Sequence, residues 1–176
     1  MLKRLKVIYT NYKNKDMSNE NRAEWAKHKT SARREVRKLI ARAVFEATSI
    51  PEARVKFNDV VESHKFFGVG LANYFTNSKP NVDEEHGRVV LDCLTTRYKK
   101  IKIKIEESLR EGYSFDDIDP LVKAIILSAT AEYYLGEEDK NLLLSEWVKT
   151  TKSIIGVEKT ERFVNAVLSA IYNNIN

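Results

Sequence analysis

Between Val90 and Leu109 the large apolar residues return every three or four positions: Val90, Leu94, Tyr98, Ile101, Ile105 and Leu109. A 3.6-residue period held over about twenty residues buries one face only as a helix, because a strand alternates with period two. The run Ile101-Lys102-Ile103-Lys104-Ile105 does alternate, but over five residues only. A helix is therefore predicted over about 83–110, with Asp83, Glu84 and Glu85 placing acid in its first turn. Six glycines and three prolines in 176 residues leave long stretches free of helix breakers.

The same period recurs elsewhere. Leu39, Ile40, Ala43, Val44 and Ala47 form one stripe and predict a helix over about 31–48. Pro51 is placed to open a second helix containing Val55, Val60, Val61 and His64. Phe66-Phe67-Gly68-Val69-Gly70-Leu71 breaks that pattern and continues as a short helix or turn, and residues 76–81 read as a loop. Asp116-Asp117-Ile118-Asp119-Pro120 is a helix start, an Asp cap followed by Pro in the first turn. That helix carries Leu121, Ile125, Ala129 and Tyr133 and ends near Gly136. Two more are predicted over about 140–155, closed by Gly156, and about 158–173, where Phe163, Val167 and Ile171 share a stripe beside Val164 and Leu168. No segment reads securely as a strand. The fold class is all-α, a compact bundle of about seven helices. The expected division is a basic, flexible N-terminal extension over residues 1–30, in which Met17 is a second candidate start, and a helical domain over 31–176.

Charge is polarised along the chain. Thirteen Lys/Arg stand against four Asp/Glu between Met1 and Arg42, a balance of +9, and the remainder carries −4 of the net +5. A basic end on a mildly acidic body attracts polyanions. Arg33, Arg34, Arg37 and Lys38 crowd the first two turns of the helix predicted from Ser31. Cations there oppose the helix dipole, so local stability does not explain them and a ligand would. A second basic run, Arg97, Lys99, Lys100, Lys102 and Lys104, is followed by Glu106 and Glu107, which can pair with it.

Catalytic signatures are missing. Gly68-Val69-Gly70 lacks a third glycine and a preceding strand, so it is no dinucleotide loop. His28, His64 and His86 show no metal-ligand spacing with each other or with Cys93. The pairs Asp116/Asp117 and Glu137/Glu138 lie at helix ends, where capping explains them better than acid–base work. The single cysteine forbids a disulfide framework and reads as a small buried apolar residue. No signal peptide and no membrane-length apolar run is found. The expectation is a cytoplasmic binding protein, without cofactor or metal, rather than an enzyme.

Two stretches resemble the NusB family of transcription antitermination factors. The first is Ser31-Ala32-Arg33-Arg34-Glu35-Val36-Arg37-Lys38-Leu39-Ile40-Ala41-Arg42-Ala43-Val44-Phe45, an arginine-rich start leading to a pattern close to A-x-x-A-L-Y. The second holds Val122-Lys123-Ala124-Ile125-Ile126-Leu127, Glu132-Tyr133-Tyr134-Leu135, Ser145-Glu146-Trp147-Val148, Gly156 and Phe163-Val164-Asn165-Ala166-Val167-Leu168. It is similar in order and spacing to the family's last three helices, with their "NEAV" and "FVNGVL" segments. Phe45 stands for a tyrosine, Ser145 for an asparagine, Trp147 for a small residue and Ala166 for a glycine, the last small enough to keep close helix packing.

The resemblance implies a protein that binds boxA-type single-stranded RNA together with NusE, a small ribosomal protein. The complex helps RNA polymerase pass terminators, notably in rRNA operons. It implies RNA contact for Arg33, Arg34, Arg37 and Phe163, and a protein-partner face at Phe45; Lys38, beside the arginines, adds non-specific attraction for RNA. Two other readings stand beside it: a helical scaffold binding protein only, and a stand-alone relative of the NusB-like domain fused to RNA methyltransferases. The methyltransferase reading lacks the glycine-rich domain it would need.

Overall fold

The computed structural model describes residues 19–51, 53–54 and 83–174. Five α-helices are described: α1 (Asn19–Ser49), α2 (Glu84–Ser108), α3 (Pro120–Tyr133), α4 (Lys140–Ile154) and α5 (Glu158–Asn174). A 3-10 helix, Phe115–Asp117, precedes α3. No strand occurs among the described residues, and the all-α expectation holds. About seven were expected over the whole chain, and residues 1–18 and 55–82 lie outside the described residues. The helix expected from Pro51 is described only at Pro51, Ala53 and Arg54, which are helical, with the Arg54 N–H donating to the Ile50 carbonyl at 2.8 Å. Its remainder, the segment around Phe66–Leu71 and the loop at 76–81 lie outside the described residues.

Helix α3 is the axis of the bundle and packs against all four other helices. Every residue from Ala124 to Ala131 is buried, as expected of a helix surrounded on all sides. Its start matches the sequence signal: Asp119 accepts from the N–H groups of Leu121 (2.9 Å) and Val122 (3.2 Å), and Pro120 fills the first turn. Asp139 caps α4 in the same way through Asn141 and Leu142. Asp119→Ala is expected to cost about 1 kcal/mol, measured by urea unfolding; a change near zero would deny the cap its role.

Helix α2 settles the isoleucine alternation. Ile101 and Ile105 are fully buried, while Ile103 is 54% exposed. A strand would have put all three on one face. Leu109 lies just past the helix end as its C-cap, in extended backbone.

Helix α1 departs from expectation. It begins at Asn19, twelve residues before the start expected at Ser31, so residues 19–30 belong to the same helix. Ala23, Glu24, Ala26 and Lys27 are strong helix formers by residue type. An apolar stripe begins only further on, at Ala32, Val36, Ile40, Ala43, Val44 and Ala47, all buried. Tracking apolar period alone therefore finds the part of this helix that carries the stripe and misses residues 19–30.

Candidate nucleic-acid interface

With α1 starting at Asn19, Arg33, Arg34 and Arg37 sit in its middle, well past the first turn where the dipole acts. Each guanidinium faces carboxylates from elsewhere in the bundle. Arg37 is 1% exposed; its Nε and Nη2 donate to Glu132 at 2.9 and 2.7 Å, and Nη2 also donates to Glu138 at 2.9 Å. Arg33 pairs with Glu138, with Glu137 at 3.0 Å and with Asp83 at 3.5 Å. Arg34 forms a bidentate pair with Glu146 at 3.0 and 3.1 Å. Five carboxylates thus surround three guanidiniums.

This corrects two readings. The arginines have carboxylate partners within the bundle that account for them, and Arg37 is buried among its own. Glu137 and Glu138 do not cap α4, a task that falls to Asp139; they receive Arg33 and Arg37. By contrast Asp117 does act at a helix start, accepting from the Ser114 N–H and hydroxyl. Lys38 pairs with Glu35 on its own helix at 2.9 Å, and its side chain, like that of Arg34, is partly exposed.

Glu132 is the hub of this cluster. Besides Arg37 it accepts from the indole N–H of Trp147 at 2.7 Å and lies 2.8 Å from Nε2 of His86. Both Trp147 and His86 are buried. Burial pushes the Glu132 carboxyl up, but hydrogen bonds and charge from His86 and Arg37 outweigh it and bring the pKa down to about 2. Trp147, which departs from the family's small residue, is thereby accommodated as a donor to a buried anion.

Phe45 is half-buried and packs against the core. Phe163 sits at the rim of α5's buried stripe, beyond Val164, Val167, Leu168 and Ile171. Its ring faces Tyr113 at 6.4 Å between centroids, tilted by 38°. The two aromatics line an open pocket of about 260 Å³ with Arg110, Arg162, Ala166 and Ser108. Ala166 is exposed in this pocket and is not a helix-packing contact. Sequence reading named Phe163 but missed Tyr113 and Arg110, which lie in the connection after α2; an aromatic and an arginine exposed in one short loop were the signal available.

The second basic run divides. Lys104 pairs with Glu107 at 2.8 Å and Lys102 with Glu106 at 3.7 Å, as the spacing suggested. Arg97 and Lys100 instead lie over the Tyr134 ring, at 5.6 and 5.1 Å from its centroid. Cys93 is buried, and burial pushes its thiol up, consistent with a packing role. Among the described residues no group of His, Cys, Asp and Glu could hold a metal ion, and no helix is long and apolar enough to cross a membrane.

No curated protein matches the chain. The family described as "NusB family" matches residues 34–173, from the arginine-bearing part of α1 to the last turn of α5. The match takes in α1 from Arg34 onward, the four later helices almost entirely, and nearly all of the segments whose order and spacing carried the resemblance, so the chain belongs to the NusB family, with a role in transcription antitermination or related RNA binding.

Proposed function

We propose that this protein is an antitermination factor that acts by binding, not by catalysis. It takes up boxA-type single-stranded RNA together with NusE in the cytoplasm and promotes readthrough by RNA polymerase, notably in rRNA operons. The observation that supports this reading best is the pocket at Phe163. An unpaired base needs an aromatic face to stack on, and its phosphates need cations beside it. Phe163 and Tyr113 supply the first; Arg110 and Arg162 supply the second, Arg162 from an exposed pair with Glu158 at 2.7 Å that phosphate can replace.

RNA recognition is accordingly centred on Phe163 and not on Arg33, Arg34 and Arg37, whose charge is taken up by carboxylates. Lys38 adds a modest, salt-sensitive attraction. Phe163→Ala should weaken binding of a boxA-type strand by about 1–3 kcal/mol, roughly five- to 150-fold, in a fluorescence anisotropy titration with and without NusE. Unchanged affinity would remove the pocket from the site. A wild-type protein that binds NusE but no RNA in either arm would instead favour the scaffold reading, with its contacts around Phe45.

A further inference from the structure

A row of cations on α2 leads to the Phe163 pocket. Positions 97, 100, 104 and 108 recur at three- and four-residue intervals, so they lie along one side of the helix. Ser108 lines the pocket, and Arg97 lies about 16 Å up the helix from it by the rise per residue. Arg97 and Lys100 are exposed, and Lys104 has a side chain 25% exposed.

What holds these cations matters. Arg97 and Lys100 rest on the Tyr134 ring, and no described carboxylate pairs with either. An aromatic face attracts a cation without cancelling its charge. The contrast is with Arg33, Arg34 and Arg37, each set on carboxylates. Lys104 keeps one anionic neighbour, Glu107, in an exposed pair that phosphate can replace. Tyr134 thus holds two cations in place on the surface with their charge available.

We propose that Arg97, Lys100 and Lys104 form a phosphate track for single-stranded RNA, continuing the path of a strand whose base stacks at Phe163. The proposal rests on the RNA-binding reading above. Pocket and track divide the work: the pocket anchors a base, and the row engages the backbone of the following nucleotides.

The test is salt-dependent binding of a single-stranded RNA of about twelve nucleotides to the full chain. Each phosphate contact contributes roughly 0.7 to the slope of log affinity against log salt for single strands. The variant Arg97→Gln/Lys100→Gln/Lys104→Gln should lower that slope by about 2, with its helical circular dichroism unchanged. Arg97→Lys/Lys100→Arg/Lys104→Arg should retain the wild-type slope, and losing it would overturn the charge-based assignment. If the glutamine variant matches wild type while Phe163→Ala weakens binding, the track is wrong and the RNA reading stands. If wild type binds no RNA, both fall.

Discussion

Arg37→Ala should destabilise the protein by about 3–5 kcal/mol, because removing one partner of a buried ion pair leaves the other charge uncompensated. The stranded group is Glu132, 3% exposed, which loses three hydrogen-bond contacts to the guanidinium and keeps only those from His86 and Trp147. Glu138 loses a partner as well. Lys38→Ala, one residue on, removes a single surface pair with Glu35 and should change stability by less than about 1 kcal/mol. Urea unfolding followed by circular dichroism compares the two. Equal, small effects would mean that Arg37 is not held as a buried pair and would return it to the candidates for RNA contact.

That pair of neighbours shows what could and could not be read from the residues in order. Helix α2 was legible because the identity of its buried side is written locally: Ile101 and Ile105 inward, Ile103 outward, at intervals that only a helix produces. The caps at Asp119 and Asp139 are local too, each reaching two or three residues ahead. The arginines were not legible. Glu132 is 95 residues from Arg37, and Glu146 is 112 from Arg34. A charge count along a window sees the cations and not the anions that fold back onto them.

The same limit worked in the opposite direction on α2. Glu106 and Glu107 follow the lysine run closely, so the sequence offers the run partners from within. Those pairs form, but they engage Lys102 and Lys104 only; Arg97 and Lys100 meet Tyr134, which arrives from the end of α3. Neighbours in sequence predict part of an electrostatic surface, and the topology of the bundle decides the rest. Phe163 shows the same division: its apolar stripe is local and its site role came from the resemblance, but its place at the rim depends on Tyr113 coming round from the connection after α2.

Acid should unfold this protein through Glu132. Its carboxyl has a pKa of about 2 in the folded state against 4.5 for the ordinary group, so the folded protein holds it ionised more strongly than the unfolded chain does. A depressed folded-state value stabilises the fold above the unfolded value. The contribution is therefore complete above about pH 4.5 and is lost as pH falls from there towards about 2. At 1.36 kcal/mol per unit it amounts to about 3 kcal/mol. Glu146, also held below the ordinary range despite burial, by hydrogen bonds from Lys149 and Arg34 and the charge of both, adds a loss of the same sign. Unfolding free energies measured at intervals between pH 6 and pH 3 should fall in wild type, and Glu132→Gln should be less stable at pH 6 with a shallower decline. Glutamine keeps the shape of the side chain and removes the titration, so a decline identical in both proteins would place the acid sensitivity elsewhere. A shallower one would identify the anion that joins α1, α2 and α4 to the central helix as the point at which protons loosen the bundle.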